Sequence, residues 1–123
     1  MVLFIQGIKR LFKGYKLKML NRIQAILAVA ALLLGIAHLA FGVIVYKSFS
    51  LELLWFLGTG IAMITTALAN LNSGSTVWIL RVQNALMLGF ILALVILAPQ
   101  PQIWLGLILF TGLLFVSFVK SED

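Results

Sequence analysis

"IQAILAVAALLLGIAHLAFGVIVY", residues 23–46, decides the fold. It carries no fixed charge and, at 1.5 Å per helical residue, it outreaches a hydrocarbon core of roughly 30 Å. Backbone groups at that depth meet no water, so they must pair within the segment, which a helix allows. The period-two alternation of a membrane barrel strand is absent. Working outward, further apolar runs cover 51–71, 77–98 and 103–119. The last is short for a span but is bounded by Trp104 and Lys120, side chains suited to the two interfaces. The joints "KSFS", "NLNSGST" and "PQPQ" combine turn formers with polar side chains. The expected fold is all-α: a four-transmembrane-helix bundle over residues 21–123.

Composition agrees. The chain has 123 residues, 63% of them hydrophobic and only 10% charged, with a mean hydropathy of +1.19. That leaves too little polar surface for a water-soluble domain of this length, so the bilayer is the expected solvent. With no cysteine in the sequence, disulfides, thiolate metal sites and iron–sulfur clusters are excluded. The formal charge of +6 is concentrated at one end. Lys9, Arg10, Lys13, Lys16, Lys18 and Arg22 all precede the first span, and a basic block abutting a hydrophobic segment points to anionic lipid rather than nucleic acid.

Within residues 1–20, Phe4, Ile5, Ile8, Leu11, Phe12, Tyr15 and Met19 recur at helical spacing, while Gln6, Lys9, Arg10, Lys13 and Lys16 take the other face. This pattern predicts a separate amphipathic helix lying in the head-group plane. No small-x-small cleavage site follows cleanly, so a signal peptide fits poorly. With four spans both termini share one side, and the basic residues assign that side to the cytoplasm. The expected location is the inner (plasma) membrane.

Lipid tails are as apolar as leucine, so helices in a bilayer associate through small and polar faces. In the first span Gln24, Ala28, Ala31, Gly35, His38 and Gly42 form such a stripe, opposite Val29, Leu32, Ile36, Leu39 and Val43. In the second, Gly58, Thr59, Ala62, Thr65, Thr66, Ala69 and Asn70 gather on one side. In the third, Arg81, Ala85, Gly89 and Ala93 form a row with Asn84 beside it. The fourth offers Gly106, Thr111, Gly112 and Ser117 and reads as a peripheral member. Gly35, Gly42, Gly58, Ala62 and Gly89 are the expected packing positions.

Two polar layers follow from depth. His38 belongs to the outer half, near Thr59 and below Glu52. Gln24, Thr66, Asn70, Arg81 and Asn84 lie toward the cytoplasm. An ionisable group inside a membrane is costly unless partnered, which makes His38 a candidate site. It would ligate a haem or chlorin, carry a proton, or hydrogen-bond a quinone-like head. The plainer reading is a neutral imidazole bonded to Thr59 or a backbone carbonyl, pinning two helices. Glu52 is either a helix cap favoured by the helix dipole or the partner of His38 in a polar pocket with Thr59. Arg81 either snorkels to head groups or joins Asn70, Asn84 and Gln24 around a lipid phosphate. Lys9, Arg10, Lys13 and Lys16 are further contacts for anionic lipid. No nucleophile–base pair, phosphate loop or carboxylate dyad is present, and no enzyme activity or metal is expected.

"GIAHLAFG" (35–42), "LWFLGTGIA" (54–62) and the "NL" at 70–71 resemble a pattern in small, uncharacterised bacterial four-span membrane proteins. The resemblance covers the first two spans and implies a bacterial inner-membrane setting. It implies no activity.

Three functions are open at this point. The first is an accessory or regulatory subunit that binds other membrane subunits, or itself, through small-residue faces. The second is a binding protein for a lipid, quinone or pigment contacting His38. The third is a small oligomeric transporter, for which Glu52 is the available carboxylate.

Overall fold

A computed structural model describes residues 1–72, 76–97 and 99–120. It contains four α-helices: α1 (Val2–Val45), α2 (Leu51–Leu71), α3 (Val77–Leu97) and α4 (Pro101–Lys120). Each is long and apolar enough to cross a membrane. Short joints and the pairs that meet make successive helices antiparallel. Gln24 bonds Asn70 across α1 and α2, and Arg81 bonds the carbonyl of Ser117 across α3 and α4. Ser50 caps α2, its hydroxyl accepting from the Leu53 N–H at 3.2 Å, and Pro101 opens α4, where its missing N–H costs nothing.

The expected separate leader helix is not seen. α1 runs unbroken for 44 residues, about 66 Å at the usual rise, because no proline or glycine interrupts the run from Tyr15 to Gly35. Residues 1–19 project beyond the bundle and are almost wholly exposed, on the basic and the apolar face alike.

The helices pack in the ring order α2, α1, α4, α3. α1 buries Leu20, Gln24, Ala28, Ala31, Gly35, His38 and Gly42. Against this narrow face stand the bulky side chains of its neighbours: Met63 of α2, and Phe110 and Leu113 of α4, the latter two fully buried. A β-carbon on Gly35 would lie 2.8 Å from Ile64 Cγ1 and 3.2 Å from the Gly60 carbonyl oxygen, and one on Gly60 would lie 3.2 Å from the Gly35 carbonyl oxygen. The two helices therefore cross glycine on glycine, with backbones closer than any side chain permits.

Two face assignments need correction. Gly58 and Gly89 are exposed, and a β-carbon on either meets nothing within 4 Å. α3 instead buries Leu80, Asn84, Met87 and Ile91, leaving Ala85, Gly89 and Ala93 outside. The reason lies on α4, which is not peripheral: a β-carbon on its Gly106 would stand 3.4 Å from Ile91 Cδ1. There α4 supplies the small residue and α3 the large one. Ala62, half-buried, packs at the core's edge.

Candidate functional site

The polar side chains sort into two layers about 21 Å apart along α1, from Gln24 to His38. In the first layer every helix contributes. Gln24 Nε2 donates to Asn70 Oδ1 at 3.2 Å. Asn70 Nδ2 donates to the Thr66 carbonyl at 2.8 Å and to Asn84 Oδ1 at 2.9 Å. Asn84 Nδ2 returns a bond to Asn70 Oδ1 at 3.0 Å, and Lys120 Nζ donates to Gln24 Oε1. Arg81 closes the edge, its Nε donating to the Ser117 carbonyl at 3.4 Å and its guanidinium lying 4.6 Å above the Phe118 ring.

This arrangement corrects the expected phosphate contact at Asn70 and Asn84. Asn84 is fully buried and both amides are occupied by each other. A buried amide must find such partners, since leaving it unpaired costs more than the bond returns. Of the basic candidates, Lys9, Arg10 and Lys13 are exposed on the projecting part of α1, and Lys16 is half-buried there.

The second layer is different. His38 is 8% exposed and stacks on Phe56 of α2, ring centroids 3.7 Å apart and planes within 6°. Gly42, one turn along α1, admits that ring: a β-carbon there would be 2.7 Å from Phe56 Cδ1. Tyr46 and Phe41 tilt against Phe56 from outside. The pin between α1 and α2 at this level is thus an aromatic stack. The expected bond to Thr59 is not made, because the Thr59 hydroxyl donates to the Trp55 carbonyl of its own helix at 2.9 Å, as threonines in helices commonly do; the other expected partner, a backbone carbonyl, is present as that of Phe56. His38 Nε2 is buried and has no hydrogen-bond partner.

The His38 ring borders open space, although Nε2 itself has almost no accessible surface. A cavity of about 520 Å³ is lined by His38, Glu52, Phe56, Thr59, Phe90 and Gln100, among others, so the three residues singled out from sequence share one chamber. Glu52 stands exposed in the first turn of α2. A second space of about 220 Å³ touches His38 beside Phe41 and Gln102. Along the seam where α2 and α3 diverge runs a groove of about 650 Å³, walled by Leu54, Gly58, Ala62, Thr65, Gln83 and Leu86 among others. The carbonyl oxygen of the Gln83 side chain is buried without a partner.

Sequence reasoning missed Phe56, Gln83 and Gln100. Phe56 was findable: an antiparallel partner joined by a short turn after Val45 brings the first turns of α2 to the depth of His38. Gln83 carried no signal beyond its place beside Asn84. Among the described residues no three His, Cys, Asp or Glu side chains gather as a metal site.

Fold and site together define a class: a small four-helix bundle of membrane-spanning length, with one satisfied polar layer and one open one. Compared with known proteins, the chain matches no family model, no curated protein and no solved structure, so the resemblance of its first two helices to bacterial four-span proteins acquires no family from these comparisons.

Proposed function

We propose that this is a four-span membrane protein that binds a hydrophobic small molecule at the His38 chamber. The observation that supports this reading is His38, whose Nε2 is buried and unpartnered and whose ring lines a cavity shared with Glu52 and Thr59. An unmet buried polar group costs roughly 1–3 kcal/mol, which a ligand's hydrogen-bonding group would recover. Gentle detergent extraction followed by mass and absorbance measurement of the organic extract tests it. The expected result is a stoichiometric lipid, quinone or pigment with the wild-type protein, lost in His38→Leu. A wild-type protein that binds nothing, whether extracted or added back, overturns the reading.

A second reading, the accessory subunit, is favoured by the exposed small residues Ala85 and Gly89 on α3, a face suited to close helix contact. Because the chain has no cysteine, Gly89→Cys supplies a unique cross-linking point. Capture of one defined partner in native membranes supports this reading, and capture of none removes it. The transporter reading gains nothing from Glu52, which stands exposed at a helix start rather than deep between helices.

For the setting we propose a bacterial inner membrane with both termini cytoplasmic and, after a bend that the unbroken α1 does not show, residues 1–19 lowered onto anionic head groups. Replacing Lys9, Arg10 and Lys16 by glutamate would weaken that contact by about 1 kcal/mol per charge. Protease protection of this segment that does not depend on anionic lipid contradicts it.

A further inference from the structure

The chamber at His38 and the groove along the α2/α3 seam adjoin: Leu51, Trp55, Thr59 and Phe90 line both. We infer that they form one site for a single-chain amphiphile with an uncharged hydroxyl head, the head at the His38 ring and the hydrocarbon chain in the seam. This inference rests on the ligand-binding reading above and adds the ligand's class and its seating.

Three observations carry it. The first is dimension. From Leu54 to Thr66 the seam follows twelve residues of α2, about 18 Å at 1.5 Å each. One leaflet of a hydrocarbon core, half of roughly 30 Å, needs a chain of about that length. The second is lining. The seam is walled mostly by leucine, methionine and aromatic side chains, with Thr59, Thr65, Thr66 and Gln83 among them, and Gly58 leaves it open, with nothing within 4 Å of a β-carbon placed there. α2 and α3 bond to each other through Asn70 and Asn84 at the far end, so the seam is closed below and open above. The third is charge. The Phe56 backbone carbonyl takes a ring N–H of His38, so the neutral imidazole offers the head an acceptor, which suits a hydroxyl. Among the described residues that line the chamber Glu52 is the one carboxylate, and there is no lysine or arginine. An ionised acid would therefore find no cation to receive it.

A long-chain alcohol brominated along its chain tests the seating. In full-length protein carrying Trp78→Phe and Trp104→Phe, Trp55 is the remaining indole and lies on the wall common to both spaces. In lipid nanodiscs the brominated alcohol is expected to quench Trp55 saturably, above the linear background from alcohol dissolved in the bilayer. Gly58→Leu, whose β-carbon meets nothing within 4 Å and whose remaining atoms would enter the seam, is expected to raise the apparent Kd at least tenfold. Thr65→Phe, farther along the seam, is expected to act in the same direction and serves should Gly58→Leu assemble poorly. His38→Leu is expected to abolish saturation.

The failures are distinguishable. Full affinity in both seam variants, with loss in His38→Leu, overturns the seating of the chain but leaves ligand binding at His38 standing. Unchanged saturable quenching in His38→Leu overturns the role of His38 and the reading beneath it. Absence of saturation in the unsubstituted background overturns both. Competition then identifies the head. Displacement by a monoacylglycerol supports the inferred class, and an isoprenoid quinone, which offers carbonyls but no donor, acting at equal or lower concentration overturns the hydroxyl head. Ionised palmitate displacing the probe as well as either neutral compound overturns the uncharged head.

Discussion

The two polar layers of this bundle are built from similar materials and end in opposite states. At one end Gln24, Asn70, Asn84 and Lys120 spend their bonds on one another, one side chain from each helix. At the other, His38 is equally buried, yet it is held by an aromatic face and its Nε2 is unbonded. The first layer is a clasp that fixes which helix meets which. The second combines rigid placement with unspent hydrogen-bonding capacity and adjacent volume, and those are the requirements of a binding site. Polarity inside a membrane bundle does not by itself mark function, and the proposed site rests on the unsatisfied group instead.

That contrast can be broken by substitution, and the largest effect should come from neither layer. Gly35→Leu forces side-chain atoms into the Gly35–Gly60 crossing, where a β-carbon alone already stands 2.8 Å from Ile64. Separation of α1 from α2 should cost about 3 kcal/mol, measured by unfolding in mixed micelles. Asn70→Leu comes next, at about 2 kcal/mol, because Asn70 is the hub: its loss strands the fully buried amide of Asn84 and removes the acceptor of Gln24. Asn84→Leu should cost about half as much, since Asn70 keeps Thr66 and Gln24 as partners. His38→Leu should cost the ligand-free protein about 1 kcal/mol, less than Asn70→Leu, because nothing is lost at Nε2 while the stack on Phe56 and the bond to its backbone carbonyl are. A cost above that of Asn70→Leu would mean that His38 is a structural group and the two layers are alike. The smallest effect belongs to Gly89→Ala. Its β-carbon enters open space, so it should be neutral or stabilising by up to about 1 kcal/mol through helix propensity.

The face of α1 was legible because its small and polar residues repeat at threes and fours and nothing large interrupts them. The same logic failed on α3. There the small row Ala85, Gly89 and Ala93 faces outward, and Leu80, Met87 and Ile91 face in. Close packing needs a small residue on one helix opposite a large one on the next, and a single helix does not reveal which side of that exchange it takes. Gly106 opposite Ile91 makes the point: the glycine that brings α3 and α4 together lies on α4. The depth of the polar residues was readable, so Gln24, Asn70 and Asn84 were grouped correctly in space. Their bonding was not readable, since a phosphate contact and an amide clasp use the same side chains. The uninterrupted α1 was likewise hidden, because a change from amphipathic to wholly apolar pattern marks a change of environment without requiring a break in the backbone.

The most direct test of the account uses the fact that the chain has one histidine. With the imidazole nitrogens labelled, every histidine signal in a nitrogen NMR spectrum belongs to His38. In nanodiscs of purified synthetic lipid the account predicts that a long-chain neutral amphiphile shifts the Nε2 resonance saturably, and that the shift reverses when the amphiphile is removed. An Nε2 resonance that no added amphiphile moves, in a protein whose fold is intact, would contradict it.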